Sequence, residues 1–163
     1  MNDVPWLAVA RNYIGTKEVP GSKDVAPTIA KWLLSLHAWW RDDETPWCGV
    51  AVAAWMREAG IQQLPVHWYR AKGWLGWGIT LTQPCVGCIV VFERPGGGHV
   101  GLVDGRDQFG RLLVIGGNQG DRVSRAAFET SRVLGYRWPA GVPLLTAPLP
   151  VFAGGIPVSI SEA

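Results

Sequence analysis

CIVVFERPGGGHVGLVDGRDQFGRLLVIGGN, residues 88–118, reads as strands joined by tight turns. Ile89 to Phe92 is an unbroken β-branched and aromatic run, and Pro95-Gly96-Gly97-Gly98 is a turn. His99 to Val103 is a second run, Arg106 to Gly110 turns again, and Arg111 to Ile115 is a third. Residues Arg122 to Ser124 and Val133 to Trp138 supply two more. A hairpin centred near Gln108 sets His99 level with Asn118, so both emerge at one rim of an antiparallel sheet.

Upstream of this stretch the periodicity is helical. Apolar residues at positions 6, 7, 9, 10, 13 and 14 predict a short helix over Trp6 to Ile14 that Gly15 ends. A turn-rich loop from Glu18 to Asp24 follows, and Ala26 to Trp40 resumes the helical spacing with Ile29, Trp32, Leu33 and Leu36. Thr45 to Gly60 predicts a third helix, with Thr45 as N-cap, Pro46 at the first helical position and Gly60 just past the end. A polar and aromatic connection with Pro65, His67, Trp68 and Tyr69 leads through a short helix to Trp77. Helices first and an antiparallel sheet second make an α+β order, with N-terminal helices packed on a C-terminal sheet.

Composition bounds the class. A chain of 163 residues with 48% apolar and 17% charged residues builds one core, read here as a single domain over 1–141. Residues 142–163, Pro-rich and without periodicity, are expected to be an extended or partly disordered tail. A net charge of +2 without Lys/Arg runs argues against nucleic-acid binding, and no apolar run approaches the roughly 18 residues of a membrane span, so no insertion is expected. The start, Met1-Asn2-Asp3-Val4-Pro5, lacks the basic and apolar segments of a secretory signal. A monomer is expected.

Three cysteines divide into a Cys85-x-x-Cys88 pair and Cys48. A strand follows Cys88 where a thioredoxin-like motif would open a helix, and no second ligand pair at zinc spacing accompanies the two. Two separate thiols or a local disulfide are the readings left, and no metal site is expected. Cys48 falls in the first turn of the third helix, where unpaired N–H groups and the helix dipole favour an anion and predict a thiol pKa below the free value of about 8.5. A small buried core thiol is the competing reading.

Cys48 at a helix tip packed on the rim that carries His99 and Asn118 makes a Cys/His/Asn arrangement. A thiolate attacks a carbonyl carbon, an imidazole held by an Asn carbonyl moves the proton, and N–H groups at the helix start, Cys48's own among them, cradle the oxyanion. The Gly96-Gly97-Gly98 run leaves open backbone beside the scissile bond, placing Gly98 against substrate, as Trp47 is beside the nucleophile. Taken singly, His99 and Asn118 are also ordinary turn residues. Arg41-Asp42-Asp43-Glu44 complements the helix dipole or, in the functional reading, lets Asp43 and Glu44 hold a substrate amine, a role open to Glu18 as well.

These residues carry a resemblance. Pro46-Trp47-Cys48 with Trp55, Gly87-x-Ile89-Val90-Val91-Phe92, Gly98-His99-Val100-Gly101 and Gly116-Gly117-Asn118-Gln119 resemble the motif set of papain-like cell-wall cysteine peptidases, the NlpC and CHAP group. Tyr13-Ile14-Gly15-Thr16-Lys17-Glu18 with Pro20-Gly21, and Leu134-Gly135-Tyr136-Arg137, are similar to a single-domain branch among phage endolysins. The resemblance implies a papain-like fold and hydrolysis of an amide in bacterial peptidoglycan, with Cys48 as nucleophile, His99 as general base and acid, Asn118 orienting His99, and no cofactor. It further implies an enzyme held in the host cytoplasm until a pore-forming lysis protein admits it to the cell wall. A secreted wall-degrading toxin of the same chemistry and a non-catalytic wall-binding or virion module are the alternatives. Cys88 stands where relatives often carry aspartate, and Gly49, where they often carry Ser or Ala, predicts a looser first helical turn.

Overall fold

The computed structural model describes residues 4–19, 26–41, 46–145 and 147–162. Three helices precede the sheet. Helix α1, Pro5–Asn12, starts on a proline and buries Trp6, Leu7 and Ala10. Helix α2, Pro27–Ser35, buries Ile29, Trp32 and Leu33 and stops well short of Trp40. The reason is His37, which turns left-handed at φ +56°. Trp39 and Trp40 therefore leave the helix and pack with Tyr69 at 4.7 Å and Trp68 at 6.0 Å. Helix α3, Cys48–Glu58, is buried on every side from Cys48 to Met56, the pattern of a central core helix. It begins at Cys48 with Trp47 in the cap position, so Pro46 lies ahead of the helix instead of opening it. The proposed cap Thr45 lies outside the described residues. Gly60, at φ +95°, closes the helix as its position suggested.

The sheet is seven-stranded. Its strands are β1 (Ile79–Leu81), β2 (Ile89–Arg94), β3 (Gly97–Asp107), β4 (Leu112–Gly116), β5 (Ser124–Phe128), β6 (Val133–Trp138) and β7 (Val151–Phe152). Their order is β1-β6-β2-β3-β4-β5, with β7 added in parallel to β3. Pro95 and Gly96 (φ +80°) form a two-residue turn between the paired Arg94 and Gly97, so Gly97 and Gly98 belong to β3 and not to the turn. The β3–β4 hairpin has the expected register, Leu102 facing Ile115 and Val103 facing Val114, before a bulge near Gly105. Its turn is held by the Asp107 carboxylate, which accepts the Phe109 and Arg111 N–H groups at 2.9 Å each.

Helices and sheet share one core that contains Trp6, Trp47, Trp55, Phe92 and Phe128. One buried charge ties the layers together: Asp104 on β3 accepts from Arg11 of α1 at 2.7 Å and from Arg125 of β5 at 2.6 Å. The C-terminal segment runs extended along the sheet. Ala127 donates to Pro157 O at 2.9 Å, Ser159 to Ala127 O at 3.0 Å, and Gly120 to Ser161 O at 2.9 Å. Glu162 is thereby delivered to the rim where His99 sits.

Candidate active site

Cys48 is the first residue of α3 and is 4% exposed. Two glycines let the helix start come this close to its neighbours. A Cβ on Gly49 would stand 2.4 Å from the Trp68 carbonyl oxygen, and one on Gly117 would stand 2.7 Å from the Trp47 ring and 2.8 Å from Ala51 Cβ. Gly49 thus tightens the packing of the first turn, where a looser turn was expected. The paired stretch of β3 and β4 ends at Leu102 and Ile115, so the backbone at Val100 is free to meet the Cys48 sulfur.

The thiol does not have the lowered pKa expected of it. Burial pushes Cys48 up, and this outweighs the opposing pull of the backbone at Val100 and Gly49, the positive charge of Arg94 and Cys48's own backbone. The helix start supplies its N–H groups, but the thiol around which they gather is nearly dry.

His99 occupies a closed chamber. Its ring stacks on Phe128 at 5.5 Å and Phe92 at 6.3 Å, and it is completely buried. Burial drives its pKa from 6.5 to about 4, against the opposing effects of a hydrogen bond to Gln119 and the charge of Glu162, while Arg132 and Arg94 push the same way as burial. His99 Nε2 lies 2.9 Å from Gln119 Oε1. The Gln119 amide donates through Nε2 to Ser124 O at 2.9 Å and to Val114 O at 3.3 Å, which turns Oε1 toward the imidazole as an acceptor. His99 therefore carries its hydrogen on Nε2, and Nδ1 is a bare lone pair, buried without a hydrogen-bond partner.

Asn118 does not make the contact expected of it. Its Nδ2 donates to Glu162 O at 3.0 Å, its Oδ1 is buried without a partner, and the imidazole is held by the next residue, Gln119. The cause is the backbone: β4 ends at Gly116, and Asn118 is left-handed at φ +60°, so the register that levels it with His99 stops short of it. Gly116 completes the arrangement, because a Cβ there would stand 2.3 Å from Gln119 Oε1 and 3.2 Å from His99 Nε2. Gln119 lies inside the Gly-Gly-Asn-Gln motif, and the turn signal of its two glycines was the cue that chain direction changes there.

Glu162 closes the chamber from the C-terminal side. It is 6% exposed, ion-paired with Arg132 and hydrogen-bonded by Ser159 Oγ at 2.7 Å. Those bonds hold its carboxyl below the usual carboxylate range although burial acts to raise it. Arg132 in turn lies over the Phe128 and Phe92 rings, at 5.4 and 5.8 Å. Nothing in the sequence pattern pointed to Glu162.

The remaining expected site residues divide. Trp47 is buried, and its indole Nε1 donates to Glu18 Oε2 at 2.9 Å, so Glu18 anchors the residue before Cys48. Gly98 borders an open cleft of about 360 Å³ together with Cys48, Pro46 and Tyr69. Asp43 and Glu44 lie outside the described residues. Cys85 and Cys88 are free thiols in the turn before β2, the first held low by a hydrogen bond with the second and the second pushed up by burial.

A cysteine at the head of a buried helix, set against an antiparallel sheet whose second hairpin strand carries a histidine, defines the papain-like α+β class. Within that class a family model described as CHAP domain matches residues 40–118, a match consistent with a cell-wall peptidase of the CHAP and NlpC type. CHAP domains are typically cysteine- and histidine-dependent peptidoglycan hydrolases, amidases or endopeptidases. The match takes in Cys48, His99 and Asn118 and ends one residue before Gln119. Comparison with curated proteins and with solved structures gives no significant match. Among the described residues no helix is long and apolar enough to cross a membrane.

Proposed function

We propose that the protein cleaves an amide bond of peptidoglycan with Cys48 as nucleophile and His99 as general base and acid, Gln119 fixing the imidazole. The observation that carries this reading is His99 itself. A buried imidazole locked in one tautomer, with Nδ1 unpartnered and Val100 next in the chain lying against the Cys48 sulfur, has the form of a base awaiting a proton. With the thiol pKa raised and the imidazole pKa lowered, the resting pair is neutral.

The sequence of steps follows from that neutrality. As Sγ attacks the amide carbon, its proton passes to His99 Nδ1, and the carbonyl electron pair becomes an oxyanion stabilised by N–H groups at the start of α3. The tetrahedral carbon then expels the amine, which takes the proton from Nδ1, and a thioester remains on Cys48. Water attacks the thioester, gives its proton to Nδ1, and the sulfur leaves to recover it.

The biological role we propose is that of a phage endolysin, held in the host cytoplasm and released to the wall by a separate pore-forming lysis protein. A secreted toxin shares the chemistry and differs in gene neighbourhood, where an immunity protein would replace the lysis protein. The near-dry thiol favours a second reading of another class, a wall-binding module without turnover. Clearing of purified cell walls by wild type, Cys48→Ala and His99→Ala separates the two. A folded Cys48→Ala protein with at least roughly a hundredfold loss is expected, and equal clearing by all three would leave the binding module. Mass spectrometry of the released fragments identifies the bond.

A further inference from the structure

The described wall of the cleft in front of Cys48 carries charge of one sign. Arg70, Lys72 and Arg94 line it together with Tyr69 and Gly98, and among the described residues no carboxylate does. Lys72 is engaged with Glu93 at 3.0 Å, both side chains about half exposed. Arg70 lies against the Tyr69 ring, 5.6 Å from its centre, and neither it nor Arg94 has an ion-pair partner among the described residues.

Arg94 is held differently from a surface arginine. Its Nε donates to Gly98 O at 2.9 Å, across the narrow end of the β2–β3 hairpin. The guanidinium packs over Gly97, where an added Cβ would lie 3.7 Å from Nη2. Fixing Nε on the backbone holds the planar group at the mouth of the cleft and leaves its terminal nitrogens as a fork of hydrogen-bond donors. Such a fork matches the two oxygens of a carboxylate, and holding it in place before the ligand arrives reduces the entropy lost on binding.

We propose that Arg94, assisted by Arg70, recognises a free carboxylate on the substrate, so that the site takes an acidic stem peptide and cuts it beside the residue bearing that group. The inference rests on the hydrolase reading and adds the substrate's charge to it. It differs from the expectation that the cleft selects an amine: Glu18 is bonded to Trp47 and the described wall of the cleft is cationic, while Asp43 and Glu44 lie outside the described residues.

The test uses the full chain and two synthetic stem peptides that differ only in a free carboxylate against its carboxamide. Wild type is expected to cleave the acid at least tenfold better by kcat/KM, the difference residing mainly in KM. In Arg94→Gln that ratio collapses to within threefold of one, and Arg94→Lys, which keeps the charge and loses the fork, falls between. Arg70→Gln lowers the ratio less. Equal cleavage of both peptides by wild type overturns the carboxylate inference and leaves the hydrolase reading standing, and it does so whether or not the variants fold. Retention of the full ratio in a folded Arg94→Gln/Arg70→Gln protein overturns the assignment to these residues. Cleavage of neither peptide, with wall clearing no better than Cys48→Ala, removes the hydrolase reading and this inference with it.

Discussion

Cys48, whose sulfur lies against the backbone of Val100, and His99, the residue before it, are held in place by opposite kinds of structure. Cys48 opens a helix and faces a cleft, and its neighbours are mostly backbone: Val100, Gly49 and its own N–H, with Gly117 behind Trp47. His99 is sealed from solvent between aromatic rings and is steered by side chains that arrive from elsewhere, Gln119 from the turn after β4 and Glu162 from the C-terminal segment. Cys48 is tuned by local geometry and His99 by long-range closure. Two neutral groups result, each kept so by burial, and the difference lies in what would disturb them. A change beside Cys48 should act on packing and access, whereas a change in the chamber should act on the protonation state of His99.

The largest effect is expected at Gln119. Gln119→Leu keeps roughly the volume of the side chain and removes the acceptor that pins Nε2–H, leaving both imidazole nitrogens unpaired and the tautomer unspecified. A loss of about 100-fold or more in kcat with KM little changed is the expected outcome, in line with the cost of an imidazole in the wrong tautomer. Asn118→Ala should cost less than tenfold, since Asn118 reaches His99 through no bond of its own. A steady-state comparison of the two variants decides between them, and the reverse ranking would return the orienting role to Asn118.

The chamber should also show itself in stability. With a folded pKa near 4 against 6.5 for the free group, the unfolded chain binds a proton that folded His99 refuses. Stability therefore falls as pH drops from about 6.5 to 4 and takes no further loss from this group below that range. The contribution is on the order of 3 kcal/mol if the whole shift is expressed. Denaturant titrations from pH 7 to 5, above the range where most carboxylates protonate, should slope downward for wild type and more gently for His99→Leu. Identical slopes would mean that the chamber admits water.

On the Cys48 side the matching perturbation is steric. Gly49→Ala places a methyl group 2.4 Å from a carbonyl oxygen of the chain backbone at Trp68, which cannot rotate aside as a side-chain tip can. Overpacking of this kind typically costs about 1–3 kcal/mol. Thermal unfolding should register it without any change in pH dependence, because no titrating group is touched. A new slope with pH in this variant would erase the distinction between the two sides.

What was legible in the sequence follows the same division. The strand runs Ile89 to Phe92 and Leu112 to Ile115 announce themselves through β-branched side chains, and the hairpin between β3 and β4 has the register its turn residues imply. The end of α3 at Gly60 is similarly local. By contrast, α2 stops early because His37 adopts a left-handed conformation that histidine seldom signals. Strands β1 and β7, of three and two residues, are too short to carry a pattern and exist because β6 and β3 offer them edges. The site splits likewise. Cys48 and His99 stand in recognisable local contexts, yet the thiol's raised pKa depends on what covers it, and no local pattern shows that. Gln119 and Glu162 reach His99 across 20 and 63 positions of chain, through a turn and an extended tail that have no periodicity to read.

Glu162 gives the smallest expected effect and the finest test of the difference between the two sides. Glu162→Gln keeps the backbone carbonyl that accepts from Asn118 and removes only the charge. That charge favours the protonated imidazole, and Arg132, its partner, opposes it. Without the carboxylate, Arg132 is left uncompensated over Phe92 and Phe128, and both changes lower the His99 pKa further. The acidic limb of kcat/KM should move to lower pH. The rate near neutrality should fall only several-fold, because the base is already neutral there and only the transient imidazolium loses support. Arg132→Gln should move the limb the opposite way from the loss of Glu162, since it removes a cation that disfavours imidazolium. Opposite shifts from two residues that are ion-paired with each other would locate their effect on His99 in charge; equal losses of rate with an unmoved limb would make the pair a structural clasp and nothing more.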